Sequence, residues 1–495
     1  ETLSASRATN QQRDTTMPSD IAVYGLGVMG RNIALNMADH GLTVSVFNRT
    51  ASTTEDFVAD LPPDSGIRAS YDLADLAASL TRPRVVFLMA KAGQVVDRVI
   101  EGLLPHLEPG DLIIDGGNSH FRDSQRRYED LRQRGVRFLG MGISGGEEGA
   151  RHGPSIMPGG DPEAWPLVRG MFRDIAAKAE DGEPCCRWVG EGGAGHYVKM
   201  IHNGIEYGDM QLIAEAWQLM RSGLDMPAAE VAETFGHWNQ GVLSSYLIEI
   251  TAEILQVTEP DGSLRVDHIR DAAGQKGTGR WTAIDALELG VPLTLISEAV
   301  FARVLSSMKE ERVAAAERLG GGTPTYQGDK ALMLDAIHDA LYAAKIISYT
   351  QGFLQMRMAA AEHGWQLAYG EIALLWRAGC IIRSRFLDDI KQAFDRDAGI
   401  PSLLFDDFFA SALRSADKGW RDAVSLGVQA GIPLPAMAAA LSFYDGYRSA
   451  VVPANLLQAQ RDYFGAHSYE RTDRDAGAHW HTRWTGDLGE ESVDD

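Results

Sequence analysis

The 495-residue sequence has little cysteine: only Cys185, Cys186 and Cys380, two of them adjacent. An odd count with no CxxC pair excludes a disulfide framework and points to a reducing compartment, the cytoplasm. Positive charge is also scarce. Lys and Arg number 46 against 68 Asp and Glu, a net charge of −22. Such a chain repels nucleic-acid phosphates, so DNA and RNA are not expected partners. An anionic ligand needs Lys and Arg gathered locally. Long apolar runs are missing as well. The charge-free stretch Ala423–Tyr444 is broken by Pro433 and Pro435, so it reads as a buried helix pair and not as a membrane span. The first sixteen residues lack the apolar segment of a secretory signal. Met17 is the expected natural start, with residues 1–16 a disordered extension. No HExxH, Cys/His cluster or aspartate cluster has ligand spacing, so no metal site is expected.

What is present is ordinary for a globular chain: 45% apolar and 23% charged residues. The length exceeds what one hydrophobic core sustains, so two or three domains are expected. From Ile21 to about Gly190, short β-branched runs alternate with helical stretches. Ile21–Tyr24, Thr43–Phe47, Val85–Met89, Leu112–Asp115 and Val136–Gly140 read as buried strands. Arg31–His40 and Val95–Leu104 read as helices between them. This alternation predicts a doubly wound parallel sheet. Past Gly192 strand signals nearly vanish. Gly195–Ser222, Pro227–Gly236, Ser244–Val257, Thr294–Leu319 and Gly328–His363 carry helical periodicity. The expected organisation is therefore a Rossmann-like domain over 17–192, an all-helical domain over 193–449, and an extended tail over 450–495.

Gly25-Leu-Gly-Val-Met-Gly30 is a G-x-G-x-x-G between the first strand and the first helix. Gly25 permits the tight turn, Gly27 lets backbone approach a pyrophosphate, and Gly30 lets the helix pack close. Val28 and Met29 open the helix, whose free N–H groups and positive dipole end suit phosphates. The second strand ends in Asn48-Arg49-Thr50. An NAD site would place an acidic residue near here for the ribose 2′-hydroxyl. Arg49, helped by Asn48 and Thr50, instead suits a 2′-phosphate, and so NADP. Two further turns, at Lys91 and at Gly116-Gly117-Asn118, fall at carboxyl ends of strands, where ligands bind in this architecture. Each is also compatible with an ordinary strand-to-helix turn.

In the helical half, Lys199, His202, Asn203 and Glu206 share one helix face, because seven residues are almost two full turns. Val198, Ile201, Ile205 and Leu212 lie behind. Such a helix either faces solvent or lines a polar cleft. The turn Gly274-Gln-Lys276-Gly-Thr278 resembles a phosphate loop, but its Lys-Gly-Thr order does not fit the Walker pattern. It can still offer amides, an ammonium and a hydroxyl to a phosphate ester.

Four separated motifs together resemble the 6-phosphogluconate dehydrogenase family. They are IRDAAGQKGTGRW (Ile269–Trp281), KMIHNGIEYGDMQ (Lys199–Gln211), ISGGEEGARHGPSIMPGG (Ile143–Gly160) and QRDYFGAH (Gln460–His467). The resemblance runs from about Ile21 to Trp484. It implies the pentose phosphate pathway reaction: 6-phosphogluconate is oxidised at carbon 3 by NADP and loses carbon dioxide, giving ribulose 5-phosphate. It also implies Lys199 as general base and Glu206 as the acid that protonates carbon 1. The substrate residues implied are Asn118, Ser144, Gly145, Gly146, His202, Asn203, Tyr207, Lys276, Thr278, Arg303, Arg461 and His467. Ser144 with the Gly145–Gly146 amides would hold the carboxylate, and Lys276, Arg303 and Arg461 the phosphate. Arg461 and His467 would reach the other subunit's site in a homodimer, with Trp480 and Trp484 of the tail buried there. Two other readings remain open: a β-hydroxyacid dehydrogenase acting on a smaller substrate, and a non-catalytic scaffold that retains the fold.

Overall fold

The computed structural model describes residues 17–320, 326–486 and 488–493. The expected extension over 1–16 and the end of the acidic terminus, Asp494 and Asp495, lie outside the described residues. The chain divides into two compact units, one ending at Ala440 and one running from Leu441.

The first unit begins with an eight-stranded sheet. Its strands are β1 (Ile21–Tyr24), β2 (Val44–Phe47), β3 (Ile67–Ala69), β4 (Val85–Leu88), β5 (Leu112–Asp115), β6 (Arg137–Ser144), β7 (Ser155–Gly160) and β8 (Gly190–Glu191). They are ordered β3-β2-β1-β4-β5-β6-β7-β8. Pairing is parallel except between β6 and β7, which run antiparallel from Leu139 opposite Gly160 to Ser144 opposite Ser155. The sheet is therefore mixed, not wholly parallel. β7, with sequence SIMPGG, escapes a propensity reading because Pro and Gly are poor strand formers. β6 continues four residues beyond Gly140 and so delivers Ser144 to its end. The central strands are buried on both faces, and two apolar clusters cover the two sides of the sheet.

Helices take over after β8. Ala194–Gln218 is a 25-residue helix, extended by a π turn over Leu219–Gly223. Ala228–Trp238 and Tyr246–Ile254 follow, the latter capped by Ser245 accepting from the Ile248 N–H. The stretch read as one helix, Thr294–Leu319, breaks at Met308 into Thr294–Ser307 and Lys309–Leu319. Lys330–His363 is a 34-residue helix capped by Asp329 and ended by Gly364 at φ +69°. It packs along both Ala194–Gln218 and Asp407–Ala430. A buried Lys345–Asp209 ion pair links it to the first of these.

The second unit is not a bare extended tail. Helix Ala454–Gly465 is followed by the three-stranded sheet β11 (Glu490–Val493)–β10 (His479–Thr482)–β9 (Tyr469–Glu470). Fully buried Asp462 organises it, accepting from the Ser468 and Thr482 amides at 2.9 and 3.0 Å and from the Trp484 indole at 2.8 Å.

Candidate active site

The helix Ala194–Gln218 carries Lys199, His202, Asn203, Glu206 and Tyr207. It lies against β6 and β7, and its approach to β6 is close: a Cβ at Gly142 would collide with the Lys199 side chain. The sheet thus buries the polar face. Lys199 is 6% exposed and His202 fully buried, so this face is not a solvated surface. The His202 ring stands at its centre. One nitrogen, Nε2, lies 3.0 Å from the Ser144 hydroxyl and 2.9 Å from the Cys380 thiol. The other, Nδ1, lies 3.3 Å from Lys199 Nζ, 3.1 Å from Asn203 Oδ1 and 3.8 Å from Glu206 Oε2. Trp376 closes the cluster edge-on to the ring.

Burial shifts the proton affinities here. Desolvation lowers the Lys199 pKa, against the opposing pull of Glu206. Desolvation also holds His202 well below its usual range, reinforced by Lys199. It raises Glu206, although Lys199 and Arg303 act the other way. Each shift runs toward the neutral form, so the cluster places a proton acceptor, Lys199, two helical turns from a proton donor, Glu206.

A second wall comes from the helix Thr278–Glu288. Thr282 Oγ1 donates to the Met200 carbonyl at 2.9 Å, and Thr282 sits where a side chain at Gly204 would stand. The start of this helix meets the Tyr207 ring, which a Cβ at Gly279 would strike. Arg303 lies over that ring at 3.5 Å and donates to the Gly274 carbonyl at 3.3 Å. Lys276 is exposed and Thr278 buried.

Comparison with known proteins places the chain in a family. Residues 195–484 match the family described as 6-phosphogluconate dehydrogenase, C-terminal domain, and residues 20–190 the NAD binding domain of 6-phosphogluconate dehydrogenase. The chain belongs to the 6-phosphogluconate dehydrogenase family. It is 57% identical over 472 residues to the decarboxylating 6-phosphogluconate dehydrogenase of Ovis aries, covering 95% of this chain and 98% of the relative. Identity to the Haemophilus influenzae enzyme of the same name is 54%, over 95% and 97%. A solved Plasmodium falciparum 6-phosphogluconate dehydrogenase superimposes with a TM-score of 0.90 at 40% identity, covering 94% of this chain and all of that one. That protein is described in its apo form and in complex with NADP+ and with 6-phosphogluconate.

Within this family member, the glycine loop is built for a dinucleotide. Gly25 adopts φ +99°, and a Cβ there would strike the Met89 carbonyl. A Cβ at Gly30 would overlap the Gly25 carbonyl, so this glycine serves the loop's own tightness as much as the helix packing. Nothing stands within 4 Å of the Gly27 Cβ position, which leaves room for a ligand at the N-terminus of the helix Val28–Asp39. Asn48 Oδ1 accepts from the Leu26 N–H at 3.1 Å, tying the end of β2 to the loop. Arg49, Thr50, Lys91 and Asn118 are exposed beside it, and Met29 is half-buried.

The structure brings Ser144, Lys199, His202, Asn203, Glu206, Tyr207, Thr278 and Arg303 into one neighbourhood, with Gly145 and Gly146 continuing from Ser144 at φ +124° and +62°. Arg461 and His467 belong to the second unit, where both are exposed. Cys380 is the side chain the sequence reading left out. It lies 178 residues from His202 and reaches the cluster through the turn Gly379–Ile381, whose Ile381 N–H points to Ser144 Oγ at 3.4 Å. No local pattern could have signalled it.

Proposed function

We propose that this chain catalyses the oxidative decarboxylation of 6-phospho-D-gluconate to D-ribulose 5-phosphate and carbon dioxide. When bound, NADP supplies the hydride acceptor. The observation that carries this reading is the buried cluster in which Lys199 is pushed toward its neutral form and Glu206 toward its protonated form.

The residues divide the work by charge. Lys199, as a neutral amine, takes the proton of the 3-hydroxyl while carbon 3 gives up its hydride. The 3-keto acid then breaks its C1–C2 bond, and the electron pair flows toward the ketone oxygen. Lys199, now an ammonium, returns its proton to that oxygen. Glu206 protonates the terminal carbon of the resulting enediol, and Lys199 takes up the hydroxyl proton again to leave the ketone. His202 stays neutral between Ser144 and Lys199 and passes hydrogen-bond order without adding charge. Ser144 with the Gly145 and Gly146 amides suits the carboxylate. Lys276, Thr278 and Arg303 suit the phosphate, which meets the need for local cations in a chain of net charge −22. Asn118, Asn203 and Tyr207 suit the remaining hydroxyls. Arg49, with Asn48 and Thr50 beside it and no acidic residue at the end of β2, supports NADP over NAD.

Residues 17–192 hold the cofactor in this reading, and residues 193–449 most of the substrate. Residues 450–495 bring Arg461 and His467 to the second subunit of a homodimer. Purified protein should reduce NADP with 6-phosphogluconate and release one carbon dioxide per NADPH, and should sediment as a dimer. Turnover of 3-hydroxyisobutyrate in its place, or no turnover, would overturn the reading of substrate. A monomer with full activity would overturn the shared site.

A further inference from the structure

Arg127 lies on the inner face of the helix Phe121–Gln133 and is 2% exposed. A buried guanidinium is costly unless its donors are paired, and these are. Nε donates to Asp97 Oδ1 at 2.8 Å, Nη2 to the Gly93 carbonyl at 3.0 Å, and Nη1 to Asp115 Oδ2 and Ser119 Oγ at 3.3 Å each. Asp115 is fully buried and holds its own turn, accepting from the Gly117 N–H at 3.0 Å and the Ser119 hydroxyl at 2.6 Å.

These partners belong to two separate ligand-facing turns. Gly93 ends the turn after β4, which carries Lys91. Asp115, Gly117 and Ser119 build the turn after β5, which carries Asn118. Asp97 lies in the first turn of the helix Gln94–Leu103 that follows Gly93. One side chain therefore ties together the two turns at the carboxyl edge of the sheet. The same helix also reaches the catalytic helix. One turn before Arg127, Ser124 Oγ lies 2.6 Å from His196 Nδ1, and His196 precedes Lys199 by one turn. The His196 ring occupies the space a side chain at Gly140 would need, so its position on β6 is fixed.

We infer that Arg127 is a positioning residue, which with Ser124 sets the spacing between the cofactor-bearing turns and Lys199. All three of its guanidinium nitrogens are engaged by protein groups. Its role rests on the proposed NADP-dependent reaction, because only there must the turns after β4 and β5 hold a nicotinamide at a fixed distance from a base on the neighbouring helix. Effects of this kind are large for small displacements, since near-attack geometry is lost within about 1 Å.

The test compares wild type, Arg127→Lys, Arg127→Met and Asp97→Asn by NADP binding in calorimetry and by steady-state kinetics. Asp97→Asn keeps the shape and removes the charge at a half-buried position, so it remains informative if Arg127→Met does not fold. Expected results are an NADP Kd raised roughly tenfold in Arg127→Met and about threefold in Asp97→Asn. The KM for 6-phosphogluconate should move less than twofold, and Arg127→Lys should recover part of the loss. A folded Arg127→Met with wild-type NADP affinity and kcat would overturn the inference. So would equal losses for both ligands that follow the melting temperature alone. If wild type itself fails to bind NADP, it is the reading of function that falls, not the role of Arg127.

Discussion

The glycine loop and the helix that carries Lys199 are built in different ways. Between Gly25 and Gly30 the chain presents backbone. The fit depends on missing side chains, on one left-handed φ and on a helix N-terminus, all within six consecutive residues. The helix Ala194–Gln218 presents side chains, and their chemistry depends on what buries them. Packing on β6 buries Lys199 and lowers its pKa, and partial burial raises that of Glu206, which is what the proposed base and acid roles require. The first site is local in sequence. The second is created by tertiary contacts.

The comparison is tested most severely at Lys199. Lys199→Met keeps the length of the side chain and removes the amine. Turnover should fall by roughly 10³–10⁴, the upper range for a lost general base. The melting temperature should not drop, because a buried amine that resists protonation is exchanged for an apolar group of similar size. Activity and stability measured on the same preparation check both parts. Retained turnover would remove Lys199 from the base role. A large stability loss would mean that the amine holds the fold together.

A pH profile sharpens the same point. The Lys199 pKa is lowered and the Glu206 pKa raised, so their ionisations move toward each other. The rate should fall on the acid side as Lys199 gains its proton. It should fall on the alkaline side as Glu206 loses its own. Because enediol protonation follows the loss of carbon dioxide, the alkaline limb belongs in kcat. Glu206→Gln should lower kcat by about 10² and flatten that limb, leaving the acid limb in place. An unchanged alkaline limb in Glu206→Gln would assign it to another group.

These differences also explain what could be read from the sequence. The G-x-G-x-x-G loop, four of the five expected strands and the apolar back of the catalytic helix were legible, because each is a short-range pattern. The fifth strand reads as ending at Gly140, so its delivery of Ser144 does not show in the sequence. β7 was hidden by Pro158 and two glycines, which pair there only because β6 already offers an edge. The break at Met308 leaves no Pro or Gly to announce it. Lys199 and Glu206 could be placed on one face, but whether that face was wet or buried depended on Gly142, 57 residues upstream of Lys199. Cys380 and the contacts of Arg127 required the folded chain. In the tail, nothing in the sequence sets Asp462 apart from other charges, yet it is the buried acceptor around which β9, β10 and the Trp484 indole gather.

The smallest effect is expected at the loop itself. Arg49 is exposed at the end of β2, and its proposed role is to discriminate two cofactors. A solvated contact with a 2′-phosphate contributes only on the order of 1 kcal/mol, about a factor of 5–10. Arg49→Glu replaces attraction by repulsion for NADP and offers the ribose 2′-hydroxyl of NAD an acceptor, so the two changes add. The ratio of kcat/KM for NADP to that for NAD should drop by roughly 10–100-fold, while kcat with saturating NADP stays within about twofold, because the nicotinamide end and Lys199 are untouched. An unchanged ratio would mean that the 2′-phosphate is held by other groups near Asn48 and Thr50. A fall in kcat would mean that the two regions are coupled, and that the loop does more than hold the oxidant.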